Sequence, residues 1–107
     1  MNGLEKVIVN VGGMYYETTT KTLNKVPVLR DVNWTYEDFQ IFIDRDGYPF
    51  GLILTYLRAD GLPPNLDKYS LWSLIQEAKY YQLNDLLKIA TERISNYDEK
   101  KMCYTNE

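Results

Sequence analysis

The hydrophobic period of this chain changes once, near residue 47, and that change limits the fold more than any other feature. Before it, apolar residues alternate. Val7, Val9 and Val11 oppose Lys6, Ile8 and Asn10, and Phe39, Ile41 and Ile43 oppose Gln40, Phe42 and Asp44. A period of two places one side of each run in a core, so residues 5–11 and 39–44 read as strands. After it, apolar residues recur three and four apart: Phe50, Ile53, Leu54 and Leu57, then Leu71, Leu74, Ile75 and Ala78 with Tyr81. Leu83, Leu86, Leu87, Ala90, Ile94 and Tyr97 continue the pattern, which predicts three amphipathic helices.

The punctuation agrees with those periods. Gly12-Gly13 sits between two β-rich runs, and both residues accept positive φ, so Met14 to Thr18 is the returning strand of a hairpin. That strand carries Tyr15 and Tyr16 on opposite faces. Thr18, Thr19 and Thr20 offer N-caps for a short helix that Val26-Pro27 should end. Residues 28–38 have no clean period. Asp46-Gly47 closes the third strand, Pro49 suits a first helical turn, Gly61-Leu62-Pro63-Pro64 breaks the helix, and Asn84 caps the last one. Strand, strand, short helix, strand and three helices make one α+β domain over residues 5–97. A polar tail over 98–107 is expected to fray.

Composition then removes whole classes of chemistry. The 107 residues include no histidine and one cysteine, Cys103. Ser-His-Asp and Cys-His mechanisms, His/Cys zinc sites and an internal disulfide all need more than that. Fifteen acidic and twelve basic residues give a net charge of −3, and the densest basic run, Lys100-Lys101, adjoins Asp98 and Glu99. Nucleic acid and anionic lipid both select clustered Lys and Arg, so neither is an expected partner. The longest nearly apolar run, Tyr48 to Leu57, is about half of the ~20 residues a membrane span needs. The opening residues lack a charged-then-apolar signal pattern. A single unpaired cysteine suits a reducing compartment, and the expectation is a cytoplasmic or nuclear protein without cofactor or metal.

Three clusters invite a functional reading. Asp44-Arg45-Asp46-Gly47 would give an enzyme two carboxylates and an anion clamp, but a strand end and turn also select Asp and Gly. Nothing else in the chain completes a reaction centre, so a small hydrolase using Asp44 and Asp46 is the remote alternative. Gly12-Gly13 belongs to no phosphate-binding pattern. The tyrosines, among them Tyr15, Tyr16, Tyr80 and Tyr81, divide between core positions and a protein interface, where Tyr and Trp are enriched. Cys103 has no base beside it and reads as an inert thiol.

Taken together, these motifs resemble a known family. Val9-Asn10-Val11-Gly12-Gly13, Tyr16, Thr18-Thr19 and Thr22-Leu23 are similar to the opening of the BTB/POZ domain of the potassium-channel tetramerisation type. Phe42-Ile43-Asp44-Arg45-Asp46-Gly47, with Phe50, Ile53-Leu54 and Tyr56-Leu57-Arg58, resembles its middle signature. Glu77-Ala78, Tyr80-Tyr81, Leu83 and Leu86-Leu87 resemble its last helical signature. The blocks fall in the right order over about residues 5 to 90, and Ile43 to Gly47 with Leu57-Arg58 is spelled as in the KCTD group. The zinc motif of many channel versions is absent, as the histidine count requires.

The resemblance implies a small three-stranded sheet flanked by a cluster of helices. It also implies a non-enzymatic interaction module that assembles with itself, usually in rings of four or five, and scaffolds partner proteins. Several KCTD-type members present substrates to cullin-3 ubiquitin ligases, which makes an adaptor role the alternative. By position in the motifs, Asn10, Asp44, Arg45, Asp46 and Arg58 are the expected polar contacts between subunits. For Asp44 and Arg45 an internal pair that pins the strand end is an equal reading. Val28, Leu29, Trp34 and Tyr36 are the expected partner surface. The chain departs from the family at this point, because Val28-Leu29-Arg30 follows Pro27 without the usual hydroxyl residue and the path to Phe39 is short.

Overall fold

The computed structural model of the protein describes residues 5–30 and 40–105. Alternating valines make β1 (Lys6–Val11) a strand with Val7, Val9 and Val11 fully buried. It turns through Gly12 and Gly13, at φ 59° and 100°, into antiparallel β2 (Met14–Thr19). Positive φ at both central residues matches the twist of a two-residue hairpin, and the Asn10 side chain completes it by accepting from the Gly13 N–H at 2.8 Å. β3 (Gln40–Ile43) lies on the other side of β1 and runs parallel to it, giving the order β2-β1-β3. Parallel pairing requires a crossover, which the chain supplies between β2 and β3.

That crossover begins with α1 (Thr20–Leu23), capped by the Thr19 hydroxyl, which accepts from the Thr22 N–H. The helix ends at Leu23, earlier than its predicted stop. Val26-Pro27 opens a second short helix, α2 (Pro27–Arg30), where proline's fixed φ and missing N–H do no harm in a first turn. Leu29 is only 5% exposed and belongs to the core. Its expected place on a partner surface is therefore corrected: in an amphipathic turn it serves as the apolar anchor. Val28 is half-buried and packs against the same core. Trp34, Tyr36 and Phe39 lie outside the described residues.

Helix α3 (Tyr48–Ala59) has Pro49 in its first turn and buries Phe50, Ile53, Leu54 and Leu57, the predicted stripe. They share one core with the valines of β1 and Ile43 of β3. Asp60, at φ 56°, closes the helix one residue before the glycine expected to break it, and its N–H returns to the Tyr56 carbonyl. Helix α4 (Lys68–Tyr80) starts at Asp67, whose carboxylate accepts from the Ser70 N–H at 2.7 Å. Leu71, Leu74, Ala78 and the adjoining Tyr81 are buried from it.

Helix α5 (Asn84–Thr105) packs Leu86 and Ala90 into the core, with Leu83 just before it. The Leu87 N–H bonds to the Leu83 carbonyl, so the cap position falls on Leu83, one residue before the predicted Asn84. The backbone stays helical through Thr105, so the stretch from Asp98 expected to fray continues α5. Arg93 donates to the Leu62 and Pro63 carbonyls and ties the α3–α4 connection to α5.

Candidate interaction surface

The loop joining β3 to α3 carries the densest set of predicted site residues, and its geometry is set from two sides. Gly12 and Gly47 bring the hairpin and this loop into backbone contact. A Cβ on Gly12 would lie 2.3 Å from the Arg45 carbonyl oxygen, and one on Gly47 would lie 2.3 Å from that of Val11. The Tyr16 hydroxyl donates to the Gly47 carbonyl at 2.7 Å, while its ring leans on Phe50 at 5.5 Å between centroids. Asp46 accepts from the Tyr48 N–H at 3.2 Å, and the Tyr48 hydroxyl meets the Ser70 hydroxyl at 3.0 Å. The loop is thus fastened to β2 behind it and to α4 beside it.

Arg45 supplies the strongest fastening. Its Nε donates to Glu77 Oε1 and its Nη2 to Glu77 Oε2, both at 2.9 Å. The guanidinium lies 4.3 Å from the centre of the Tyr80 ring, where its charge faces the negative π-face. Glu77 has 7% of its side chain exposed and Arg45 33%, so one end of the pair is out of water. The hydrogen bond to Glu77 raises the arginine's pKa above its usual value, and the cation remains charged at any accessible pH. Arg45 therefore pins the strand end, but its acid is Glu77 on α4 rather than the neighbouring Asp44. Tyr81 follows one turn later, fully buried. Desolvation first, and then the Glu77 charge, push its hydroxyl's pKa well up.

The other predicted contact residues also have places within the chain. Asn10 completes the hairpin, and Arg58 Nη2 donates to the Glu17 carbonyl at 2.9 Å, joining the end of α3 to β2. Asp44 and Asp46 are exposed, and neither lines the cavity found at the far end of α3. Among the described residues no group of three or more Asp, Glu, Cys or His could hold a metal ion, and no helix is long and apolar enough to cross a membrane.

What the sequence reading did not assemble is a row on the outer face of the sheet that joins Phe42 to two residues it had named, Tyr15 and Asn10. Register aligns Tyr15 on β2, Asn10 on β1 and Phe42 on β3. Tyr15 is 69% exposed and Phe42 64%, so two large rings flank an amide on a face opposite the core. Ile8 lies in the next row with Glu17 and Gln40. A second exposed aromatic group runs along α4, where Tyr69 and Trp72 stack at 6.4 Å. The signal was available in Phe42, an aromatic at the outward phase of an alternating strand, and in Trp72, outside the Leu71, Leu74, Ala78 stripe.

This fold and this surface define a small α+β protein-interaction domain, and residues 7–91 match the BTB/POZ domain family. The chain belongs to that family. It is 36% identical over 100 residues to a potassium channel regulatory protein of Bos taurus, covering 86% of this chain and 38% of that protein. The counterpart from Mus musculus is 34% identical over the same shares. A BTB/POZ domain-containing adapter for CUL3-mediated RhoA degradation protein 2 of Homo sapiens is 31% identical, covering 88% of this chain and 32% of that one. The chain spans about a third of the length of these relatives.

Proposed function

We propose that this chain is a non-enzymatic interaction module that assembles with copies of itself and holds partner proteins, with four or five copies as the expected ring. The observation that carries the reading is the exposed Tyr15–Asn10–Phe42 row in a domain of BTB/POZ type. Aromatic side chains on an otherwise polar face lose little conformational entropy on docking, and contribute most where they are fully covered. Asp44, Asp46 and Arg58 are exposed as well and suit the polar rim of such a contact. The exposure of both aspartates, away from the cavity, supports a reading without catalysis. Light scattering across a concentration series tests the assembly, and a monomeric mass at the highest concentration would remove it.

A cullin-3 adaptor role is the second reading. It is favoured by similarity to a protein named as an adapter for CUL3-mediated degradation. Against it stands Leu29, which is committed to the core and leaves less apolar surface after Pro27 for a cullin to cover. A pull-down with the cullin-3 N-terminal region at micromolar concentration decides between scaffold and adaptor.

A further inference from the structure

At the end of the molecule remote from the sheet's hairpin, the ends of α3 and α4, the start of α5 and the segment carrying Lys25 and Pro27 leave a cavity of about 410 Å³ between them. Its origin is in two helix stops. Asp60 ends α3 at φ 56° and Gln82 follows α4 at φ 59°, the two non-glycine residues with positive φ among those described, and both line the cavity. Each left-handed residue turns the chain sharply, so the ends of α3 and α4 and the start of α5 meet around a hollow rather than closing it. The floor is apolar, made by Leu57, Leu83 and Leu86, which are buried. The rim carries the half-buried ring of Tyr56 and the exposed carboxylates Asp60 and Asp85.

Among the described residues the charges lining this hollow do not cancel. Lys25 is the cation on its lining, and its ammonium is committed to the Leu57 carbonyl at 2.8 Å, where it caps the end of α3. Two helices, α3 and α4, present their negative carboxyl ends here, and one, α5, presents its amino end. The amino end of α5 offsets part of the Asp85 charge, which leaves Asp60 the stronger anchor. Burial and then the nearby Asp85 and Asp60 charges raise the Tyr56 pKa, so its hydroxyl stays neutral between two carboxylates. Two exposed carboxylates alone would be an ordinary solvated pair. Set around an aromatic ring over a leucine floor, they form a place for a cation on an apolar stem.

We propose that this cavity receives an arginine side chain, with an apolar neighbour, from a partner protein. Arginine fits better than lysine on three counts. Its planar fork offers five donors to a rim that carries Asp60 and Asp85, its face stacks on an aromatic ring such as Tyr56, and its methylene stem suits the leucine floor. The site lies apart from the Tyr15–Asn10–Phe42 row of the outer sheet face. It does not depend on assembly through that row.

The test is a ¹⁵N–¹H titration of the 107-residue chain with the peptide acetyl-Leu-Arg-Leu-amide, beside the same peptide carrying citrulline, the uncharged isostere. Expected are saturable shifts confined to the amides of residues 56–61 and 82–86 at about 1 mM arginine peptide, with the citrulline peptide at least about tenfold weaker. The Asp60→Asn/Asp85→Asn variant, which keeps a residue type tolerant of positive φ at position 60, should lose that preference while its circular dichroism and solution mass stay unchanged. Equal response to the two peptides, shifts centred elsewhere, no shift at all, or an undiminished preference in the variant would each overturn the proposal. The mass measured alongside reports separately on self-association.

Discussion

Arg45 and Glu77, 32 positions apart in sequence, hold each other through the Nε–Nη2 edge of a guanidinium and both oxygens of a carboxylate, at 2.9 Å each. The pair joins the end of the sheet to the last turn of α4, so the loop that carries Asp44 and Asp46 outward is fixed by what Arg45 does inward. Charge on a buried carboxylate is tolerable only with its partner present. Arg45→Ala should therefore destabilise the fold by about 2–4 kcal/mol, allowing for the arginine's partial exposure. Arg45→Ala/Glu77→Ala should be less damaging than the sum of the single changes. Urea denaturation of the four proteins in the cycle measures this, and strict additivity would show that the pair is not coupled.

Tyr81 is fully buried, and its hydroxyl has no hydrogen-bond partner among the described residues. Tyr81→Phe should accordingly leave the melting temperature unchanged or raise it, by an amount corresponding to at most about 1–2 kcal/mol. Its folded-state pKa is raised above the ordinary value of 10.0, so the neutral hydroxyl is favoured by folding. That contribution is complete below pH 10.0 and is lost as pH rises above it, because the unfolded chain releases the proton first. Thermal melts from neutral to alkaline pH should show a steeper decline in the native protein than in Tyr81→Phe.

Phe42 and Tyr15 stand on the outer sheet face with no role in the core. Phe42→Asp should reduce the solution mass measured by light scattering and leave the melting temperature of the dissociated chain close to that of the native monomer. An oligomer of unchanged mass would exclude this row from the contact.

The two hairpin glycines should differ sharply. Gly12→Ala places a Cβ against the Arg45 carbonyl and adds the strain of φ 59°, whereas Gly13→Ala meets open space and adds only the backbone term. Expected losses are about 3 kcal/mol or more for Gly12→Ala and about 1 kcal/mol for Gly13→Ala, read from equilibrium denaturation.

Much of this arrangement was legible beforehand, for identifiable reasons. Val7, Val9 and Val11, the Gly12-Gly13 turn and the stripe Phe50, Ile53, Leu54, Leu57 are local patterns whose period carries their burial, and each stands where it was predicted. The parallel pairing of β1 with β3 and the partnership of Arg45 with Glu77 were not, because both join residues about 30 apart. Period says which face is buried and nothing about what it meets. Leu29 was misplaced because a four-residue helix is too short to display a period of 3.6. For the surface, the polar motif residues read as contacts also have work at home, which the sequence reading had weighed only for Asp44 and Arg45. Asn10, Arg45, Asp46 and Arg58 all have hydrogen-bond partners within the chain, whereas the exposed rings of Tyr15 and Phe42 drew less notice.

The position of β1 in the sheet also bears on how the chain reaches its native state. One edge of β1 is claimed by β2, its immediate successor, and the other by β3 from far along the chain. A hairpin closes in microseconds, but docking β3 must wait for the intervening loop to be gathered in. Closure entropy rises only about 0.6 kcal/mol for each doubling of loop length, so this contribution changes little with the number of residues between the two strands. Leu23, Val26 and Leu29 in that stretch, however, belong to the core and must keep their places. Length between Thr19 and Gln40 can thus change at little cost in closure entropy wherever Leu23, Val26 and Leu29 stay seated, and in every such variant β3 must still be captured beside β1.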